Sequence, residues 1–486
     1  MVLYTKPPRI VEGSGDPFES VVAVPVGSVD GGLWTPDDIP SELRSMMEVL
    51  WRLGVFKGGS GSSYVVPYGS GVVLAGVGRP GDAEGVRRGF AQAARSIRES
   101  VERLGLYVDG LGSLAFEAVI SAGLGVYRLE EFRSSRRIRL SELAVYGGRF
   151  DFSEASALLE GVYLARDIAN APPNHLTPSK LALEVEELFS RVDGVEVEVL
   201  GYDRLVREGF GGIVNVGKGS DEKPVLVIAR YRGGGRRVAL VGKTVIFDTG
   251  GINLKPSQGI TYMRADKAGG AAVLGALWTA AKLKLPLDLY ALIPAVVNVP
   301  SGSSYLPSDV IRMWDGTMVE VTNTDAEGRL IMADAIAYAA ERLGAEVIID
   351  VATLTGAIVV ALGPLMAGLF SRDEELARIF EEASRETGEK LWRMPMEDEY
   401  AKPMSKAAQA GDIVNSWQRQ GGAIFAALFL ERFTHGRRHV HLDIAGPGMA
   451  YEASQVAPPY WPEGGLAPGY GVRLLVSALR RLAGAV

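Results

Sequence analysis

Two short segments of this 486-residue sequence concentrate side chains that could do chemistry. The first is VGKTVIFDTGGINLKPSQGITYMRAD, residues 241–266, and the second is NTDAEGRL, residues 323–330. The residues that stand out in them are Lys243, Asp248, Lys255, Asp266, Asp325, Glu327 and Arg329. Each carboxylate lies near the end of an apolar run, so the two segments are candidates for one shared site.

The spacing of Asp325 and Glu327 has two interpretations. Carboxylates near a helix N-terminus are electrostatically favoured there, so capping alone explains this pair in isolation. That explanation weakens when Asp248 and Asp266 are added, because four converging carboxylates repel one another and their pKa values rise. Two divalent cations neutralise such a set, and oxygen ligands suit Mg, Mn or Zn. Since two metals can activate a water and stabilise a hydrolytic transition state, the residues predict a metal-assisted hydrolase.

Alternating strand and helix patterns predict the elements that position these residues. Residues 1–150 show β-branched runs such as Val21–Val26 and Val72–Val77, and helical periodicity over Ala83–Leu104. The remainder alternates more strictly, which implies a largely parallel sheet with its sites beyond the carboxyl ends of strands. We therefore expect an α/β fold, with a smaller N-terminal α/β domain (residues 1–152) and a larger catalytic α/β domain (residues 153–486). Its central sheet should be mainly parallel and covered by helices.

Composition excludes several classes of protein. A chain that is 47% hydrophobic and 22% charged is typical of a globular protein. A net charge of −7 without a basic run argues against a nucleic-acid partner. Cysteine is absent, so any metal must be bound by oxygen and nitrogen. The start, MVLYTKPPRIVEG, lacks the features of a signal peptide, which predicts a cytoplasmic location and no membrane association.

The order and spacing of the chemical residues resemble the cytosol (leucyl) aminopeptidase family, whose signature octapeptide NTDAEGRL is intact here. The resemblance covers most of the chain from about Glu160 onward and includes ARDIANAPPNHLTP, PSGSSYLPSDVI, VATLTGA and HLDIAGP. It implies a metal-dependent aminopeptidase that hydrolyses N-terminal amino acids from peptide substrates, leucine-type with broad specificity. It also implies a homohexamer.

Carried over by position, the resemblance implies a role for each chemical residue. Two divalent metal ions per subunit, Mn or Zn with Co or Mg as alternatives, would be bound by Lys243, Asp248, Asp266, Asp325 and Glu327. The catalytic pair would be Lys255 and Arg329, with a bicarbonate at Arg329 as general base. The substrate-binding positions would be Met263, Asn323, Thr353, Gly356 and Ala445.

The resemblance implies different chemistry for the two lysines. An ammonium has no lone pair, so Lys243 must be neutral when it binds a metal, its pKa depressed by the dication and by burial. Lys255 should stay charged and donate to the oxygen of the scissile carbonyl. An activated water would attack that carbonyl, and the base held by Arg329 would pass the proton to the leaving amine.

The sequence departs from the family's pattern at a few positions, which concern specificity more than activity. Asp266 is followed by Lys267, where a methionine is usual, and Leu306 replaces an arginine. Pro447 and Gly448 stand where larger side chains often line the substrate pocket.

Three alternatives remain open at the level of the sequence. The triplet that begins at Asp248, DTG, occurs in aspartic proteases, but those enzymes are β-rich and need two such aspartates. His439, His441 and Asp443 alternate on an apparent strand and could bind a metal, although a core strand with satisfied polar groups is the simpler explanation. The chain could also be a non-catalytic or DNA-binding assembly of the same fold.

Overall fold

A computed structural model of the protein describes residues 5–450, 453 and 455–484. The described chain divides into two compact units. The smaller unit comprises Thr5–Tyr163 and Val456–Glu463, and the larger comprises Leu164–Gln455 and the described residues from Gly464 onward. The expected boundary between residues 152 and 153 falls at the start of a helix, Phe152–Asn170, and stays a prediction.

The smaller unit contains one seven-stranded sheet with the order β1-β7-β6-β2-β5-β4, and β3 pairs with β2. Its strands are β1 (Arg9–Glu12), β2 (Val22–Val29), β3 (Gly32–Trp34), β4 (Ser63–Val66), β5 (Val72–Gly78), β6 (Arg103–Tyr107) and β7 (Glu142–Tyr146). Its helices are α1 (Ser41–Arg52), α2 (Ala83–Ile97) and α3 (Ala115–Val126), and α4 (Phe152–Asn170) leads into the larger unit.

The helix that the sequence predicts over Ala83–Leu104 is shorter in the structure. It begins after Asp82, whose carboxylate accepts from the amide of Glu84, and it ends at Ile97. Leu104 belongs instead to β6, where it is buried beside β7. Pairing within the sheet therefore overrides a local helical pattern at this point.

The larger unit is built on a nine-stranded sheet with the order β17-β16-β19-β15-β10-β12-β9-β8, and β11 pairs with β12. Its strands are β8 (Val195–Leu200), β9 (Val225–Arg232), β10 (Arg236–Gly242), β11 (Thr244–Asp248), β12 (Leu287–Asn298), β15 (Val347–Ala352), β16 (Ala367–Phe370), β17 (Leu391–Arg393) and β19 (Arg438–Asp443). A small separate sheet contains β13 (Val310–Arg312), β14 (Met318–Glu320) and β18 (Ile413–Val414).

The central pairs of this sheet are parallel: β10 with β12 and β15, β11 with β12, and β15 with β19. The antiparallel pairs are β8 with β9, β9 with β12, and β16 with β19. The helices of this unit are α5 (Pro178–Phe189), α6 (Tyr202–Glu208), α7 (Gly211–Gly217), α8 (Ala268–Lys282), α9 (Glu327–Glu341), α10 (Gly356–Leu362), α11 (Glu374–Thr387), α12 (Lys402–Lys406), α13 (Gly422–Glu431), α14 (Ala445–Met449) and α15 (Val472–Leu482). The predicted α/β fold, with its larger and mainly parallel sheet, is confirmed.

Two helices of the larger unit, α8 and α9, are buried along nearly their whole length. Helix α8 is rich in alanine and glycine, and nearly all of its residues are inaccessible to solvent. Helix α9 is equally buried, although it starts with Glu327 and Arg329. Such a helix can hold charged groups in the core only where other charges or a ligand compensate them. Within the described residues, no helix is long and apolar enough to cross a membrane.

Candidate metal centre and active site

The chemical residues gather at the carboxyl ends of the parallel strands. Lys243 directly follows β10, Asp248 is the last residue of β11, and Thr353 directly follows β15. Glu327 is the first residue of α9. This edge is where open α/β sheets bind their ligands, because each strand-to-helix connection presents side chains there.

Lys243 forms the buried half of the cluster. Its Nζ donates to Asp266 Oδ1 at 2.8 Å and to the carbonyl oxygen of Thr353 at 2.9 Å, and it lies 2.9 Å from Glu327 Oε1. Thr353 Oγ1 also donates to Asp266 Oδ1 at 2.7 Å. The side chain has room because residue 328 is glycine: a Cβ there would lie 2.4 Å from Lys243 Cε. Lys243 is therefore held in one position by packing and by three oxygens.

Lys255 forms the more open half of the cluster. Its Nζ lies 2.8 Å from Asp248 Oδ2 and 2.5 Å from Asp325 Oδ1. Asp248 Oδ1 accepts from Asn298 Nδ2 and from the amide of Gly250, each at 2.8 Å. Oxygens of Asp248, Asp325 and Glu327 lie within 4.8 Å of one another. The four predicted carboxylates and both lysines thus come together in one place.

The carboxylates are poorly compensated. Burial, together with the neighbouring Asp248, raises the pKa of Glu327 to about 8, although both lysines oppose the shift. Burial raises the pKa of Asp266 to about 6 against the effect of Lys243, and burial raises the pKa of Asp325 as well. If all four carboxylates were ionised, the two ammonium groups would leave two negative charges without a counter-charge, and the raised pKa values of three of the carboxylates reflect this shortage of positive charge.

The donor set fits divalent cations. Within the described part of the chain, Glu327 Oε2 is buried without a hydrogen-bond partner. Asp266 Oδ2 lies 2.8 Å from Lys243 Nζ but forms no hydrogen bond with it. Clustered carboxylate oxygens with unused lone pairs are typical ligands of Mg, Mn or Zn.

The charge state of Lys243 in this structure differs from the neutral form expected of a metal ligand. Burial lowers the pKa of Lys243, as expected, but Asp266, Glu327 and Asp248 outweigh burial and raise it overall. Burial also lowers the pKa of Lys255, but the nearby carboxylates, Asp248 first among them, outweigh burial and raise it overall. The expected neutral lysine therefore depends on a dication taking over the neutralisation of the carboxylates.

Arg329 lies two residues after Glu327 on α9 and carries a buried guanidinium. Its Nη1 donates to the carbonyl oxygen of Asn415 at 2.7 Å, and its carbon lies 5.9 Å from the ring centroid of Phe425. Among the described residues, its Nε has no partner. Burial lowers the pKa of Arg329 to about 10. A buried guanidinium with an unused donor is suited to bind a small anion.

The structure adds residues that sequence analysis missed, all of which hold the segment around Asp325. Thr324 Oγ1 donates to the carbonyl oxygen of Gly250, and the Thr324 amide donates to Asn253 Oδ1. Tyr305 Oη and Asn298 Nδ2 both donate to the carbonyl oxygen of Thr324. Polar residues at strand ends, such as Asn298 at the end of β12, are the signal that could have identified them.

The five expected substrate-binding residues lie on elements of the same unit. Thr353 contacts Asp266, and Asn323 Oδ1 accepts from the amide of Asp325 at 2.9 Å. Met263 is half-buried in the 3₁₀ turn Ile260–Ala265, which leads to Asp266. The other two begin short helices: Gly356 begins α10 and Ala445 begins α14. Their substrate contacts stay a prediction.

The alternative metal site on β19 is not formed. His439 Nε2 and His441 Nδ1 both contact the carboxylate of Asp350 on β15, at 2.6 and 2.5 Å. Asp443 instead accepts from the amide of Leu354 and from Thr355 Oγ1. The three residues therefore do not converge on one point, which favours a role in the core, although His441 Nε2 has no hydrogen-bond partner among the described residues.

The departure at Lys267 also has a structural explanation. Its side chain is fully buried, and Nζ donates to the carbonyl oxygens of Ala171, at 3.0 Å, and Arg264. Burial, with the nearby Arg264, lowers the pKa of Lys267 to about 7. The amine next to Asp266 is thus bound by carbonyls of the surrounding chain.

Comparisons with known proteins identify the family of the chain. The sequence profile of the cytosol aminopeptidase family, catalytic domain, matches residues 163–476, and that of its N-terminal domain matches residues 23–136. A probable cytosol aminopeptidase of Aeropyrum pernix is 62% identical over 99% of this chain and 99% of its own length. One of Roseiflexus castenholzii is 38% identical over 97% of this chain and 99% of its own.

Solved structures give the same result. The bottromycin maturation enzyme BotP in complex with Mn is 35% identical, with a TM-score of 0.84 over 96% of this chain and all of that one. A mutant of tomato leucine aminopeptidase is 30% identical, with a TM-score of 0.84 over 99% of this chain and 97% of that one. The family profile, the full-length relatives and the solved structures together show that the chain belongs to the cytosol aminopeptidase family and is an aminopeptidase.

Proposed function

We propose that this aminopeptidase uses two divalent cations, Mn or Zn, to remove N-terminal residues of leucine type with broad specificity. The observation that carries the proposal is the set of four converging carboxylates with only two ammonium groups as counter-charge. The unpaired Glu327 Oε2 supports it, because a buried carboxylate oxygen without a partner is costly in a protein without a ligand.

Five residues would hold the cations: Lys243, Asp248, Asp266, Asp325 and Glu327. When bound, the cations supply a water of lowered pKa and polarise the scissile carbonyl. Asp248 and Glu327 lie at the centre of this set, because their carboxylates are close to each other and each is also near a lysine.

The remaining chemistry belongs to the chain itself. Lys255 keeps its proton and donates to the carbonyl oxygen as negative charge develops there. Its Nζ is suited to this role because it lies at the more exposed half of the cluster, where a peptide can approach. Arg329 binds an anionic base, with bicarbonate as the proposed anion, and orients it to carry a proton to the leaving amine.

Metal removal tests the proposal directly. Protein stripped by a chelator should lose hydrolysis of aminoacyl-p-nitroanilides, and Mn, Zn or Co should restore it. Elemental analysis should then find two ions per chain. Full activity in protein shown to be metal-free would refute the two-metal mechanism.

Substrate direction is a separate test. Recognition of a free α-amino group predicts that N-acetylation of a peptide abolishes nearly all turnover, whereas extension at its C-terminus changes turnover little. Comparable rates for acetylated and free peptides would indicate an endopeptidase or another amidase.

The homohexamer and the cytoplasmic location also remain proposals, both carried over from the resemblance. Light scattering of the purified protein gives its mass directly, and a monomer at micromolar concentration would contradict the hexamer.

A further inference from the structure

Asn415 is a buried amide that joins the segment around Asp325 to the guanidinium of Arg329. It directly follows β18. Its backbone N–H donates to the carbonyl oxygen of Glu320 at 3.1 Å and so extends the pairing of β14 with β18. Its side chain is fully inaccessible to solvent. A small sheet therefore presents this one residue to the active site from a sequence region outside both chemical segments.

The side chain of Asn415 contacts the 322–326 segment on both sides of Asp325. On the near side, Oδ1 accepts from the Thr322 amide at 2.8 Å and from the Asn323 amide at 3.3 Å. Nδ2 donates to the carbonyl oxygen of Asn323 at 2.7 Å and, on the far side, to that of Ala326 at 3.4 Å. An amide that both donates and accepts is needed here, because one side faces N–H groups and the other faces carbonyls.

The same residue also orients the catalytic arginine. The carbonyl oxygen of Asn415 accepts from Arg329 Nη1 at 2.7 Å, while Nε of that guanidinium has no partner within the described residues. A displacement of Asn415 therefore changes the position of the guanidinium and of the segment that carries Asp325 together.

We propose that Asn415 is a positioning residue, which holds the proposed metal ligand Asp325 and the guanidinium of Arg329 in one fixed relation. The inference rests on the proposed two-metal function. It differs from a purely structural role because the centre of the segment has other anchors. Thr324 is bound by Asn253 and Tyr305, so the segment stays attached when the Asn415 side chain is removed. What is lost is the restraint on either side of Asp325.

Replacement of Asn415 should therefore affect metal binding and turnover more than folding. Outer-shell partners of metal ligands typically contribute about 10–100-fold to metal affinity or activity. We expect Asn415→Ala to weaken Mn or Zn binding to metal-free protein by about this factor, measured by calorimetry. We expect kcat to fall by a similar factor with KM nearly unchanged, since the reacting groups are misaligned while the substrate pocket is intact.

Asn170 provides a matched control. It is equally buried, and its amide forms three hydrogen bonds: to the carbonyl oxygens of Arg166 and Ala467 and from the amide of Ala467. Asn170→Ala removes a similar number of bonds without touching the 322–326 segment. It should lower the melting temperature of the metal-free protein about as much as Asn415→Ala, yet keep wild-type metal affinity and kcat.

A second variant covers the case in which Asn415→Ala does not fold. Asn415→Asp keeps the size and the Oδ1 acceptor but replaces the Nδ2 donor with an oxygen that faces the carbonyls of Asn323 and Ala326. It should lose kcat by at least about tenfold.

Three outcomes have distinct meanings. Wild-type metal affinity, together with kcat within about twofold of wild type, in folded Asn415 variants would overturn the positioning role. Equal losses of metal affinity and kcat in Asn170→Ala would also overturn it, because any buried amide would then have the same effect. If the wild-type protein itself binds no divalent cation, the proposed function fails, whatever the variants do.

Discussion

The cluster of four carboxylates has two halves, one around Lys243 and one around Lys255. Each half places a lysine beside carboxylates, but the surroundings of the two lysines differ. Lys243 and Lys255 each lie within ion-pair distance of two carboxylates, and in both cases the carboxylates raise the pKa above its ordinary value. The side chain of Lys243 is 4% exposed and also bonded to a main-chain carbonyl, whereas that of Lys255 is 20% exposed.

The difference in enclosure accounts for the two roles proposed for these lysines. A lysine that binds a metal must lose its proton, which requires a site where no water solvates the ammonium once dications neutralise the carboxylates. A lysine that donates to a substrate must keep its proton and be reachable. The closed half thus suits a ligand, and the open half suits a donor to the carbonyl oxygen.

The largest effect is expected from the open half. Lys255→Ala should keep both metals and lose about 10²–10³ in kcat, the usual contribution of one donor to a developing oxyanion. Metal content and kcat should be measured on the same preparation. Lys255→Arg should restore little, because a planar guanidinium cannot place its charge where a compact ammonium lay.

A smaller effect is expected from the closed half. Lys243→Ala should lower the occupancy of one of the two metals, with an affinity loss of about 10–100-fold, and added metal should partly restore turnover. Competitive metal titration with a chromogenic chelator measures this. If Lys243→Ala kept both metals while Lys255→Ala lost one, the comparison would be reversed and so would both roles.

A third test lies outside the cluster, at a buried carboxylate whose pKa responds to burial without a lysine partner. Asp334 lies on the same helix as Glu327 and is fully buried, but its carboxylate accepts from the backbone amides of Ile213 and Trp314, at 3.0 and 2.8 Å, rather than from a lysine. Burial raises the pKa of Asp334 from 3.8 to about 7 despite these hydrogen bonds.

The sign of the resulting pH dependence follows from proton linkage. Between the two pKa values the folded state holds the proton more tightly, so this contribution to stability is full at low pH. It is lost as the pH rises toward 7, at up to about 1.4 kcal/mol per pH unit. Asp334→Asn should remove that slope, measured by urea unfolding of metal-free protein across this range. An equal slope in the variant would mean that another group titrates.

The sequence predicts well which charged residues the structure brings together, because carboxylates and lysines at the ends of apolar runs are conspicuous. The asparagines are different. Asn253, Asn298 and Asn415 act through side-chain hydrogen bonds to main-chain groups elsewhere in the chain, and no spacing rule marks such contacts. They become visible only once the strands have brought those regions together.

The fold shows a similar division. The alternation of strands and helices predicts the parallel sheet, because its period reflects local sterics and burial. The end of α2 at Ile97 could not be predicted, since the following residues favour a helix locally and join a strand only because β2 and β7 are there to pair with them. Local patterns therefore identify elements better than they identify where elements end.

The absence of a side chain at residue 328 has a consequence for how the signature octapeptide constrains the rest of the chain. A Cβ at residue 328 would overlap the Lys243 side chain. The glycine of NTDAEGRL therefore leaves the space that this lysine, which lies outside the octapeptide, occupies. A larger residue at 328 would therefore push the Lys243 side chain away from Asp266 and Glu327, so this glycine fixes where the amine of Lys243 lies.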